Sequence, residues 1–175
     1  RHGGHKLSCV NDGSIIIPAG VNSIAMPPKV AALPDYLPKL WAWSAELHDR
    51  IGERFASIDL DVVIAGDLAP ILQTRHPIRL WNKAAMERYN TSLFSLQPGA
   101  GNEVWDRLSE ADLRKAKEWA AYWTGDQSWV SYVLGAGQPT FSEGDGIIQY
   151  RPKMHRKKMP RGMLAGFMCG PYEPF

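Results

Sequence analysis

The residues best suited to chemistry are two acids one position apart, Asp59 and Asp61, in the stretch Phe55-Ala56-Ser57-Ile58-Asp59-Leu60-Asp61-Val62-Val63-Ile64. A short apolar run ends in the acids and a second follows at once, which predicts carboxylates at the end of a buried strand. A buried carboxylate without a partner takes up a proton rather than keep its charge. A cation removes that cost, either an Arg or Lys side chain or a divalent metal, and oxygen donors suit Mg²⁺ or Mn²⁺. The same pair also reads as a plain strand end and turn.

Two enzyme chemistries place Asp-x-Asp after an apolar strand. In haloacid-dehalogenase-like phosphatases one aspartate attacks phosphorus, whereas in nucleotide-sugar glycosyltransferases the pair holds a metal against the donor diphosphate. The surrounding elements have to choose between them.

Ahead of the acids, Lys6-Leu7-Ser8-Cys9-Val10 and Val21-Asn22-Ser23-Ile24-Ala25-Met26 read as strands, closed by Asn11-Asp12-Gly13-Ser14 and by Pro27-Pro28. Pro34 and Pro38 bracket a loop that delivers Lys39. Leu40, Trp41, Trp43, Leu47 and Ile51 recur near helical spacing, and Gly52 marks a stop, so one helix is expected over 40–51. After the acids come a turn and a helical turn at 66–72, a strand at 78–81, and a core strand at Tyr89-Asn90-Thr91-Ser92-Leu93-Phe94-Ser95-Leu96.

Asn102, and Ser109 with Asp112, read as caps of two helices reaching about Trp123. Trp105, Leu108, Trp119 and Trp123 then serve to anchor those helices to a sheet. Gly125-Asp126-Gln127 opens a further helix, where the Asp126 carboxylate has a local reading as a cap. Strand, strand, helix, strand is the order of an α/β sandwich.

With 175 residues, 45% hydrophobic and 22% charged, the chain has the make-up of one domain with a real core, over 1–175. It lacks a run of about twenty apolar residues and an N-terminal secretory stretch, which predicts a cytoplasmic protein. Cys9 and Cys169 are too few for a disulfide framework. The net charge is +2, yet six Lys and Arg and no acid lie between Arg151 and Arg161, so the remainder is acidic. That basic segment suits phosphates or a solvated loop; without interleaved aromatics, nucleic acid is the weakest of its readings.

Taken together, Lys39-Leu40, Asp59-Leu60-Asp61-Val62-Val63, Tyr89-Asn90-Thr91-Ser92, Gly125-Asp126-Gln127 and the closing Cys169-Gly170 resemble metal-dependent nucleotide-sugar glycosyltransferases. The group is the glycogenin-like and phage or bacterial one, with the GT-A fold. The resemblance runs from Lys6 to Phe175 and implies a three-layer α/β sandwich with a mixed central sheet, lacking its first strand at the N-terminus. It implies Asp59 and Asp61 as ligands of Mn²⁺ or Mg²⁺, with Cys169 where such families carry a metal-binding histidine. Lys39, Asn90, Thr91 and Gly125 would line the donor and acceptor pocket, and Asp126 and Gln127 would reach the transferred sugar. The partners implied are a nucleotide-sugar donor and a sugar, protein or lipid acceptor.

The tail departs from the family pattern. Cys169 is a softer ligand than Mn²⁺ or Mg²⁺ prefers, and Glu173 stands where a lysine would offset phosphate charge, so weak donor binding is expected. Two other readings remain. Asp59 could be a phosphatase nucleophile with the acid of Gly144-Asp145-Gly146 as its later metal ligand, or the chain could be an inactive or truncated glycosyltransferase-like binding domain.

Overall fold

The computed structural model describes residues 5–82, 89–121, 123–150 and 165–168. Its centre is a four-stranded mixed sheet in the order β3 (Phe55–Ile58), β6 (Tyr89–Leu96), β5 (Ile78–Asn82), β7 (Thr140–Phe141). β6 pairs antiparallel with both neighbours, and β7 runs parallel to β5. Two smaller sheets accompany it: β1 (Ser8–Asn11) parallel to β2 (Asn22–Ala25), and β4 (Val62–Ile64) and β8 (Ile147–Tyr150) on either side of β9 (Ala165–Met168).

β6 is the core strand that its sequence predicts. Seven of its eight residues are buried, and Asn90 is half-buried. Both faces of the sheet are covered, because apolar residues alternate across the strands. One face gathers Leu80, Phe94 and Leu96 against Leu40, Trp43, Trp129 and Val130. The other gathers Trp81 and Leu93 with Phe141, Ile147 and Ile71 from the short helix α3 (Ala69–Leu72). The result is a helix layer, a sheet and a second apolar layer.

The helix layer consists of α4 (Glu103–Asp106), α5 (Glu110–Trp119) and α6 (Asp126–Leu134), with a 3-10 segment at Leu37–Trp43. Trp43 stacks on Phe94 with ring centroids 4.8 Å apart, and the Trp129 indole donates to the Val104 carbonyl at 2.8 Å. Near the chain start, α1 (Pro28–Ala31) places Val30 in a third cluster with Ile24, Trp41 and Leu47.

The single helix expected over 40–51 is instead two elements. Ser44 ends the 3-10 segment by donating its hydroxyl to the Trp41 carbonyl at 2.8 Å, and starts α2 (Ala45–Ile51) by accepting from the Leu47 amide at 3.1 Å. Gly52 closes α2 in the left-handed region, φ 72°. Ser109 caps α5 by accepting from the Asp112 amide, but α5 stops at Trp119, and Asn102 makes no capping bond. Trp105, Leu108 and Trp123 do pack against the core, whereas Trp119 is exposed and meets the Tyr132 ring.

The register between β5 and β6 breaks where the site is built. Leu80 faces Phe94 but Trp81 faces Asn90, so one step along β5 spans four along β6. Extra residues at such an irregularity re-aim side chains. Here they let both Tyr89 and Phe94 join the helix-side cluster although an even number of residues separates them.

Candidate active site

Asp59 is held by the sheet. Its amide donates to the Ser92 carbonyl at 2.9 Å, one rung beyond the Ile58–Leu93 pair, and its own carbonyl accepts from the Val62 amide at 3.2 Å to close a turn. β3 is only half-buried, and Leu60 at the turn tip and Asp61 beyond it are exposed. The expectation of two carboxylates at a buried strand end is therefore corrected: Asp59 is half-buried, Asp61 lies in solvent, and the buried acid of this region is Asp126.

Three elements build the cluster next to Asp59. The 3-10 segment places the Lys39 ammonium 2.8 Å from Asp59 Oδ1 and 2.9 Å from Oδ2. The same ammonium lies 3.0 Å from Asp126 Oδ2, at the start of α6. That oxygen also accepts the Thr91 hydroxyl of β6 at 2.5 Å. One lysine thus bridges two carboxylates from distant parts of the chain. Leu40, Trp41 and Trp43 are almost fully buried, so the backbone carrying Lys39 is fixed and only its side chain has freedom.

The local reading of Asp126 as a helix cap is not what the structure adopts. Gly125 occupies the cap position, with no side-chain bond to the helix amides, and the Asp126 carboxylate turns to Thr91 and Lys39. α6 is pinned to β6 a second time by the Tyr89 amide, which donates to Ser131 Oγ at 3.2 Å. Gly125 has φ 76°, and a methyl group there would lie 2.5 Å from the Tyr36 ring. The Tyr36 hydroxyl accepts from the Trp123 indole at 2.6 Å. Tyr36 and Lys39 belong to the same stretch of chain, so that stretch both packs on the entry to α6 and supplies the cation.

The remaining predicted site residues fall into place unequally. Gln127 stands half-buried in the first turn of α6, beside Asp126. Asn90 precedes Thr91 but spends its side-chain oxygen on the Ser92 amide at 2.8 Å, shaping the irregular strand. Cys169, Glu173 and the basic segment 151–161 lie outside the described residues. Sequence reasoning missed Tyr36 and read Trp123 as a helix anchor alone; the local signal was their closeness to Lys39 and Gly125.

Asp145, the second acid of the phosphatase reading, is engaged elsewhere. Arg79 donates to its Oδ1 at 2.7 Å, and its Oδ2 accepts from the Ser142 amide at 2.9 Å and hydroxyl at 3.1 Å. Burial alone would raise its pKa, but the bonds from Ser142 and Arg79 together outweigh that and hold the carboxyl below its usual range.

Could the cluster hold a hard divalent cation? Its donors are carboxylate oxygens, the ligand type that Mg²⁺ and Mn²⁺ take, and Asp61 is open to solvent two residues from Asp59. Among the described residues no group of three or more His, Cys, Asp or Glu side chains converges to hold a metal. The donor chemistry fits, with the Lys39 ammonium already against Asp59.

No family model and no curated protein matches the chain. Solved structures do. The galactosyltransferase LgtC, solved with donor and acceptor sugar analogues, matches with a TM-score of 0.56 at 14% identity over 87% of this chain and 68% of that one. The fold is a glycosyltransferase fold. The glycosyltransferase GlyE of Streptococcus pneumoniae matches with a TM-score of 0.58 at 13% identity, and this chain spans 41% of it. A glycosyltransferase involved in the glycosylation of the major capsid of PBCV-1 matches with a TM-score of 0.54 at 12% identity, over 87% of this chain and 80% of that one. Among the described residues no helix is long and apolar enough to cross a membrane.

Proposed function

We propose that this protein transfers a sugar from a nucleoside-diphosphate sugar to a hydroxyl acceptor, with a divalent metal, Mn²⁺ or Mg²⁺, held by Asp59 and Asp61. The observation that carries this reading is the convergence of Lys39, Asp59, Thr91 and Asp126 at one end of the central sheet of a glycosyltransferase fold. In the reaction the bond between the anomeric carbon and the phosphate oxygen breaks, and the diphosphate leaves with the electron pair. An acceptor hydroxyl forms the new bond and gives up its proton, which the departing diphosphate or solvent takes up. The metal would supply Lewis-acid neutralisation of the leaving diphosphate.

The chain's own residues supply the rest. Lys39 is a point charge suited to a phosphate oxygen. Asp126, oriented by the Thr91 hydroxyl, presents negative charge where positive charge develops on the sugar ring, and fixed charges of this kind act strongly in a partly dry site. Gln127 and Asn90 carry amides, a group able to bond sugar hydroxyls in both directions. Donor and acceptor identity would follow from pocket shape.

Thermal melting with a panel of nucleoside-diphosphate sugars, with and without Mn²⁺, tests this reading, since a ligand that binds the folded state raises its melting temperature. A rise with a uridine or guanosine diphosphate sugar that depends on Mn²⁺ is expected. A rise only with phosphate mimics such as fluoroberyllate and Mg²⁺ would favour the phosphatase reading instead.

A further inference from the structure

We propose that Lys39 is an internal competitor for the divalent cation: in the donor-free protein its ammonium occupies Asp59, and the negative charge of a donor diphosphate makes room for both cations. This rests on the reading of Asp59 as a metal ligand. The geometry behind it is specific. The ammonium lies 2.8 and 2.9 Å from the two Asp59 oxygens, so it sits across the carboxylate face that a cation would use. A metal held by that carboxylate would need the same oxygens. Two cations against one carboxylate repel each other strongly in a site partly shielded from water.

Charge bookkeeping gives the direction of the exchange. Asp59, Asp126 and Lys39 sum to one negative charge, and Asp61 adds a second. Adding a divalent ion alone therefore brings it up against the ammonium for a modest net gain. Adding it with a diphosphate supplies anionic oxygens to which Lys39 can turn, because only its side chain has to move while Leu40, Trp41 and Trp43 anchor its backbone. Asp126 keeps the Thr91 hydroxyl as a partner when the ammonium leaves. Metal and diphosphate thus bind cooperatively, and Lys39 is the residue through which they are coupled.

The test is calorimetric titration of Mn²⁺ into the donor-free protein, comparing wild type with Lys39→Gln and Lys39→Arg. Gln removes the charge, and Mn²⁺ affinity should rise about tenfold or more. The gain should vanish in Lys39→Gln combined with Asp59→Asn, while Lys39→Arg should stay as weak as wild type. Affinity in Lys39→Gln equal to or below that of wild type overturns the proposal. If the Gln variant does not fold, wild type provides the readout: the Cε resonance of isotope-labelled Lys39 should move when Mg²⁺ and inorganic pyrophosphate are added together, and stay put in Asp59→Asn. No movement in wild type overturns the proposal equally. Tighter Mn²⁺ binding in Lys39→Gln, together with a wild type whose melting temperature no nucleotide sugar raises, would uphold the competition and defeat the transfer reading. Sugar transfer with metal affinity insensitive to Lys39 would do the reverse.

Discussion

Arg79–Asp145 and Lys39–Asp59–Asp126 are both ion pairs that tie a basic side chain to acids from other elements, and they differ in what is left over. At Asp145 one guanidinium meets one carboxylate. Both carboxylate oxygens are used, and Arg79 also donates to the Thr140 carbonyl and lies over the Phe141 ring, 4.2 Å from its centroid. Charge and hydrogen bonds close on themselves. At Lys39 one ammonium serves two carboxylates, at 2.8 and 3.0 Å, and the three groups keep a net negative charge. The first ion pair is saturated, whereas the second leaves charge that a bound cation could satisfy.

The comparison breaks most sharply at Asp126. Asp126→Asn keeps an oxygen for the Thr91 hydroxyl but removes the charge facing Lys39, and donor turnover should fall by about a hundredfold or more. The melting temperature should change little, because the helix cap is Gly125 and not this residue. Turnover that survives while stability drops would make Asp126 structural, like Asp145. Gly125→Ala sharpens the contrast from the backbone side. A positive φ and a ring 2.5 Å away should cost about 1–3 kcal/mol in denaturant unfolding. Part of that loss should return when Tyr36→Ala is added, since the two positions are in contact.

At the saturated pair, Arg79→Met should lower stability by about 1–2 kcal/mol, discounted for partial exposure, and leave nucleotide binding unchanged. Asp145 is held below its usual pKa, so its contribution is present at neutral pH and is lost as pH falls through the carboxylate range. The smallest effect expected is at His48. Burial, the largest influence, lowers its pKa, while the Ala42 carbonyl and Asp49 oppose that. Nδ1 accepts from the Gly99 amide at 2.9 Å, so the ring is neutral and its Nε2 donates to the Ala42 carbonyl at 3.0 Å. The unfolded chain then binds more protons than the folded one below the ordinary imidazole value near 6.5, and stability falls by less than about 1 kcal/mol as pH drops from there. Melting temperature against pH for wild type and His48→Gln would reveal this as a slope absent from the variant.

Elements whose signals are local were legible in the sequence. Ser109 capping α5, Gly52 ending α2 and the apolar run of β6 each depend on neighbours a few residues away. The break at Ser44 was not, because one hydroxyl both ends a 3-10 segment and starts a helix, and the apolar spacing runs through it unchanged. At the site, Asp59 was legible from its spacing with Asp61, but its half-exposed setting was not. Asp126 shows the limit most clearly. Its position before a helix suggested a cap, while its partner Thr91 lies 35 residues away on a strand whose register shift aims the hydroxyl at it. Such a contact depends on how β6 and α6 pack, which no local pattern records.

The most direct measurement removes the same charge from each side of the comparison. Calorimetric titration of a nucleoside-diphosphate sugar chosen by thermal melting, with Mn²⁺ present, should show binding to wild type and to Asp145→Asn, the latter with a lower melting temperature. Asp59→Asn should keep its fold and lose Mn²⁺-dependent binding. Equal Mn²⁺-dependent affinity in wild type and Asp59→Asn would contradict the account, because the donor and its metal would then be held without the Asp59 carboxylate that Lys39 contacts.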